Sequence, residues 1–207
     1  MKYLEALNLK ETNELLVSLR RFAELNDVPI IKEDGIRFIK QLITIANAKD
    51  ILEIGTAIAY SAIEFAFLDD AINIITIERD PNMIHEAKKN IVKSHKSDQI
   101  TLLQGDALKI DLRDDSRFDV IFIDAAKAQS IKFFEKYENY LKPGGIIITD
   151  NLLFHGLVEN PDEVSSRNLK QLIRKIDTFN HYLMKRTDYD TAIYPIGDGI
   201  SVSIKRK

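Results

Sequence analysis

Residues 51–65, ILEIGTAIAYSAIEF, pass from an apolar run through a single glycine into a helical pattern. Ile51, Leu52 and Ile54 read as a buried strand, Gly55 as the turn that ends it, and Tyr60 onward as a helix. Strand, glycine turn and helix start together form the opening of a nucleotide-binding α/β unit. A dinucleotide site uses further glycines so that the backbone can approach a pyrophosphate, and Ala59 stands where another is expected. The ligand suited to this turn needs one close backbone approach and no room for a diphosphate.

Outward from this stretch the pattern alternates. Strands are expected at 50–54, 72–77, 100–104, 118–123 and 145–149, with helices near 60–68, 81–93 and 129–140. VIFI at 120–123 and IIIT at 146–149 are continuously apolar, as central strands covered on both faces are. Two amphipathic helices precede the first strand, near Asn13–Leu25 and Asp34–Ala46, with Asp34 as the expected cap of the second. A long helix is expected near 163–180. The ending, TAIYPIGDGISVSIK, has two short runs around Gly197-Asp198-Gly199 and reads as an antiparallel hairpin. The fold class is α/β: a Rossmann-like parallel sheet with helices on both faces, closed by a C-terminal hairpin.

The 207 residues suit one domain, 1–207, in which the helices of 1–48 form a cap or a dimer element. A net charge of -3 argues against a surface that binds polyanions non-specifically, though it leaves room for a local basic rim. There is no cysteine, so disulfides, thiolate metal sites and cysteine nucleophiles are excluded. Four histidines are scattered without ligand spacing. No apolar run reaches the length of a membrane span and no signal-peptide pattern is seen, so a cytoplasmic location without membrane contact is expected.

Ligands of open α/β sheets lie beyond the carboxyl ends of the strands. Here those ends carry Glu53 to Gly55, Glu78, Asp106, Asp124 and Asp150-Asn151. Glu78 follows the glycine turn at the distance where a carboxylate accepts from both hydroxyls of a ribose; a solvated acid before a turn is the alternative. Asp106 suits an adenine amino group or a helix cap. Ser61 and the first N–H groups of its helix suit a carboxylate, or the serine is an ordinary N-cap. Ribose, adenine and carboxylate without pyrophosphate describe S-adenosylmethionine.

A second constellation is chemical. Asp124 ends one central strand, Asp150 and Asn151 end the next, and Lys127 follows three residues after Asp124. Two carboxylates and an amide oxygen are hard ligands suited to Mg²⁺; two strand-end caps are the alternative. A lysine beside a dication and partly desolvated can serve as a base, although most lysines that open a helix are solvated.

The segments LEIGTAIAYSAI, ITIERD, QGDA, FDVIFIDAAK, LKPGGIIITDN with HGLV, and PIGDGISVSIK resemble the metal-dependent, S-adenosylmethionine-dependent O-methyltransferases of the catechol and caffeoyl-coenzyme A type. They run in the family's order from about residue 50 to the end. IDAAK and PIGDG are most similar to the bacterial members that methylate 5-hydroxyuridine at the tRNA wobble position. The resemblance implies Asp124, Asp150 and Asn151 as Mg²⁺ ligands, and Lys127 near the acceptor hydroxyl as a catalytic residue together with Asp124. It implies cofactor contacts from Ile31, Glu53, Gly55, Ser61, Glu78, Asp106, Ala107 and Asp124, and a homodimer. Two departures stand out: Ala59 replaces the family's glycine, and IDAAKAQS lacks the acid that often follows the lysine in plant and animal enzymes.

The reaction so implied is an in-line methyl transfer to a hydroxyl oxygen, giving 5-methoxyuridine if the acceptor is the tRNA anticodon loop. A small catechol-like acceptor presents the same pair of adjacent oxygens. A non-catalytic cofactor-binding protein and a nicotinamide oxidoreductase are the remaining alternatives. Arg20, Arg21, Lys32, Lys185 and Arg186 are the candidate phosphate contacts for RNA.

Overall fold

The computed structural model describes residues 3, 7, 8 and 10–206. The remaining residues of the expected N-terminal 1–48 element, and residue 207, lie outside the described residues. Helix α1 (Glu14–Leu25) starts at Asn13, whose side chain accepts from the N–H groups of Leu15 and Leu16. It buries Leu16, Leu19 and Ala23. Helix α2 (Glu33–Ile45) buries Ile36, Ile39 and Ile43. Its N-cap is Lys32, which supplies no side-chain cap. The expected cap, Asp34, lies one turn-position inside the helix, and its Oδ2 instead accepts from Gly197 N–H at 3.0 Å. Asp34 thus ties the start of α2 to the C-terminal hairpin.

The sheet has seven strands: β1 (Asp50–Ile54), β2 (Asn73–Glu78), β3 (Ile100–Gln104), β4 (Phe118–Ile123), β5 (Leu141–Thr149), β6 (Tyr189–Tyr194) and β7 (Ile200–Lys205), in the order β3-β2-β1-β4-β5-β7-β6. Strands β1 to β5 are parallel, and β7 runs antiparallel between β5 and β6. Strand β5 begins at Leu141, earlier than expected, because Leu141 pairs with Phe118 across an irregularity before the regular ladder resumes at Val120 and Ile146.

The alternating directions of the side chains build two cores. On one face Ile51, Ile74, Val120, Phe122, Ile146 and Ile148 meet α1, α2, α3 (Tyr60–Ala66) and α4 (Pro81–Lys93). On the other, Leu52, Ile54, Ile121, Ile123 and Ile147 meet α5 (Ser130–Tyr137) and α6 (Arg167–Lys185). Helix α5 is shorter than the expected 129–140, with single 3₁₀ turns on either side. Helix α6 sits several residues later than expected. A 3₁₀ turn occupies Pro161–Glu163, Ser166 caps the helix, and burial of Phe179 and Leu183 carries it to Lys185.

Candidate active site

The order of the parallel strands reverses between β1 and β4, and beyond their carboxyl ends lies a cleft of about 650 Å³. The glycine turn forms its floor. Gly55 N–H donates to Ile77 O at 3.0 Å, and Asp124 N–H donates to Ile54 O at 2.9 Å, so three strand ends converge there. Gly55 has φ +101°, and a Cβ on it would stand 2.1 Å from the Asp124 carbonyl oxygen. Only glycine fits. Ala57 and Ala59 also adopt left-handed backbone, with φ 46° and 67°. At Ala59, where a glycine was expected, the side chain therefore makes the backbone a strained one.

Glu78 is fixed from below. Its Oε2 accepts from Ala57 N–H at 2.8 Å, and Oε1 accepts from the N–H groups of Arg79 and Asp80 at 2.8 and 3.0 Å. Three backbone donors hold the carboxylate at the cleft wall, with lone pairs left for a ligand. Asp106 Oδ1 accepts from Leu108 N–H at 3.0 Å, a turn-capping bond, and the residue lines the cleft beside Ala107. Ile31, from the link before α2, is buried in the opposite wall.

Glu53 does not line the cleft. It is fully buried beneath the floor, on the face of β1 that looks toward α3. Its carboxyl accepts from the hydroxyls of Ser61 and Thr76, the latter at 2.5 Å. Burial raises its pKa to about 8, with the charges of Asp124 and Glu78 adding and the two hydroxyls opposing. Ser61 reaches the cleft, and Glu53 sets the direction of its hydroxyl.

At the other end of the cleft stand Asp124, Lys127, Asp150 and Asn151. The register that pairs Ile123 with Thr149 puts Asp124 and Asp150 side by side. Lys127 Nζ lies 2.7 Å from Asp124 Oδ1, and Asn151 Nδ2 lies 3.3 Å from the same oxygen. Asn151 has φ 67°, and its N–H donates to Asp150 Oδ1 at 2.6 Å. Burial, and then the charge of Asp124, holds the Asp150 carboxyl well above the usual carboxylate range.

Among the described residues no three His, Cys, Asp or Glu gather at ligating distance. The donor set is therefore two carboxylates and one amide, whose oxygen and nitrogen exchange places by a half-turn about the side chain. This all-oxygen set fits a hard divalent cation. The Lys127 ammonium against Asp124 occupies the position where positive charge is called for.

Several cleft residues were not foreseen from the sequence. Pro29, Ile30 and Met83 add apolar wall, Arg79 adds a cation at the rim, and Phe154, His155 and Asp198 join the lining with Asp124 and Asp150. Of the basic residues considered for RNA, Lys32 lines the cleft and Arg21 is exposed on α1. Arg20 is committed elsewhere: it donates to the Tyr60 hydroxyl at 2.6 Å and lies 4.8 Å from that ring's centre. Lys185 and Arg186 precede the start of β6, at the end of the sheet opposite the cleft. Arg186 is packed among Phe134, Tyr182 and Tyr189 and bonded to Glu138 and Asp188, so it is a structural residue.

Residues 7–206 match the model of the O-methyltransferase family. The chain belongs to that family. It is an S-adenosylmethionine-dependent O-methyltransferase. A catechol O-methyltransferase of Niastella koreensis is 32% identical over 98% of the chain and 94% of the relative. A Staphylococcus aureus protein assigned as a caffeoyl-CoA O-methyltransferase is 45% identical, covers 99% of this chain and 98% of its own, and superposes with a TM-score of 0.92. The O-methyltransferase TomG of Streptomyces achromogenes, solved in complex with its cofactor, shares the fold with a TM-score of 0.82 at 23% identity, over 99% of this chain and 95% of that one. Among the described residues no helix is long and apolar enough to cross a membrane.

Proposed function

We propose that this O-methyltransferase acts on the 5-hydroxyl of 5-hydroxyuridine at the wobble position of cytoplasmic tRNA, at a Mg²⁺ centre held by Asp124, Asp150 and Asn151. The observation that carries the reading is the union of two half-sites in one cleft. A donor half runs from Gly55 past Glu78 to Asp106 and Ala107, and an oxygen-rich half is formed by Asp124, Asp150 and Asn151. S-adenosylmethionine supplies an activated methyl group, and a divalent cation supplies a Lewis acid that acidifies a hydroxyl and favours two adjacent acceptor oxygens. Glu78 accepts from the ribose, the Ser61 end of α3 faces the amino-acid part, and Ile31 and Met83 cover the apolar surface. Lys127, at the junction of the halves, faces the acceptor: as the ammonium paired with Asp124 it steadies the oxyanion left once the hydroxyl proton has gone to solvent, and only as the neutral amine, with the cation on Asp124 in its place, would it take up that proton itself.

Support for an RNA acceptor comes from the rim, where Lys32 and Arg79 flank the cleft as exposed cations. An anticodon-loop base is already single-stranded and is turned out at small cost. A small catechol-like acceptor is the second reading, favoured by the Niastella relative. Val17 and Leu25 on α1 and Ile45 at the end of α2 expose apolar surface, which supports a homodimer through the N-terminal helices; sedimentation at micromolar chain is expected to give a dimer, and a lone monomer would oppose it. The acceptor is tested by offering labelled S-adenosylmethionine with tRNA containing 5-hydroxyuridine, tRNA lacking it, and a simple catechol. Label in 5-methoxyuridine of the first tRNA is expected; label in the catechol alone would move the assignment to small molecules.

A further inference from the structure

Asp198 sits in the turn between β6 and β7, flanked by Gly197 and Gly199 at φ 64° and 87°. A turn at the tip of a hairpin is ordinarily solvated, yet Asp198 is only 6% exposed. The turn is pressed against the segment that follows β5. Leu152 N–H donates to Gly199 O at 3.0 Å, Leu153 N–H to Asp198 O at 2.8 Å, and His155 N–H to Asp198 Oδ1 at 2.6 Å. A Cβ on Gly199 would stand 2.7 Å from Leu153 Cγ, so the approach is close. Asp198 Oδ1 thus steadies the segment that begins with Asp150 and Asn151.

The second oxygen is different. Asp198 Oδ2 is buried, belongs to a residue lining the cleft, and has no hydrogen-bond partner among the described residues. The imidazole nitrogen His155 Nδ1 is 3.8 Å away, beyond hydrogen-bond distance. A buried carboxylate oxygen left without a donor is costly unless a ligand supplies one. Its charge also bears on Asp150. Asp124, Asp150 and Asp198 thus gather acidic groups at one end of the cleft, where Lys127 pairs with Asp124, and a divalent cation would offset their charge.

We propose that Asp198 is an outer partner of the metal centre, accepting through Oδ2 from the water shell of the cation while Oδ1 holds the ligand-bearing segment. Among the described residues it does not cluster with Asp124 and Asp150 as a third ligating acid, and it is a positioning residue. The inference rests on the divalent-cation reading, and the test separates the two. Mn²⁺ binding is followed by the loss of free-ion resonance in electron paramagnetic titrations of wild type, Asp150→Asn and Asp198→Asn, with cofactor affinity and the metal-free unfolding midpoint measured alongside.

Asp198→Asn keeps an oxygen for His155 N–H and removes the charge. It is expected to weaken Mn²⁺ about tenfold or more. Cofactor affinity should change less than about twofold, and the metal-free midpoint should not fall, because a repulsive buried charge has gone. Asp150→Asn should lose Mn²⁺ binding. Unchanged Mn²⁺ affinity in Asp198→Asn would overturn the proposal, as would weakening accompanied by lower metal-free stability and weaker cofactor binding. Absence of Mn²⁺ binding in wild type, or its persistence in Asp150→Asn, would overturn the cation reading itself and this inference with it. Asp198→Ser, an uncharged acceptor, is read in the same way if the asparagine variant fails to fold.

Discussion

Replacing Glu53 with glutamine should change how stability depends on pH more than it changes stability itself. The native carboxyl titrates near 8, against an ordinary value of 4.5. A folded-state pKa raised in this way means that the folded protein holds a proton the unfolded chain has released. The stabilising contribution is therefore complete below about pH 4.5 and is lost as pH rises through about 8. Between about pH 5 and pH 9 the loss amounts to about 4 kcal/mol, falling at up to about 1.4 kcal/mol per pH unit. Glutamine never ionises. It can accept from one of the Ser61 and Thr76 hydroxyls and donate to the other, at a cost of about 1 kcal/mol. Urea unfolding of both proteins across this range is the assay, read as the difference between the two curves. Glu53→Gln is expected to be slightly less stable than wild type at about pH 5 and more stable by about 3 kcal/mol at about pH 9. Curves that stay parallel would refute the reasoning, because Glu53 would then be ionised in the folded protein at neutral pH.

Gly55→Ala forces a Cβ against the Asp124 carbonyl at positive φ; a loss of more than about 3 kcal/mol in denaturant unfolding is expected, together with loss of cofactor binding. Arg186→Ala leaves Glu138 partly buried without its partner and removes three ring contacts; it should cost about 2–4 kcal/mol. The surviving folded fraction should keep its acceptor affinity, since the residue is remote from the cleft. Arg79→Ala should weaken tRNA binding and lower the slope of log affinity against log salt by about 1, leaving cofactor affinity in place; an unchanged slope would remove Arg79 from the RNA surface.

What the sequence made legible follows from the geometry of parallel sheets. Glu78 ends a strand, Asp106, Asp124 and Asp150 each come just after one, and strand ends face the ligand whatever the details of packing. The same logic misplaced Glu53: it lies one residue before the end of β1, and an odd shift along a strand moves a side chain to the other face. Its burial under α3 depends on Ser61 reaching back from the next element, which no local pattern states. Asp198 was hidden for a topological reason. Gly-Asp-Gly reads as a solvated hairpin tip, and only the insertion of β7 beside β5 brings that tip onto the segment after Asp150. Arg186 misled in the opposite direction, since a basic residue at a helix end looks like surface until three aromatic rings from separate elements enclose it. Arg79 left a faint signal, as the cation directly after Glu78, the acid expected to face a ribose.

The proposed hydroxyl methylation depends on a divalent cation at Asp124, Asp150 and Asn151. It is tested most directly by timing methyl transfer from labelled S-adenosylmethionine to tRNA containing 5-hydroxyuridine, and to a catechol, with Mg²⁺, with EDTA, with Mg²⁺ restored, and with Asp150→Ala. Transfer that EDTA abolishes, Mg²⁺ restores and the variant lacks is predicted. Transfer that proceeds in EDTA and survives in Asp150→Ala would contradict the account.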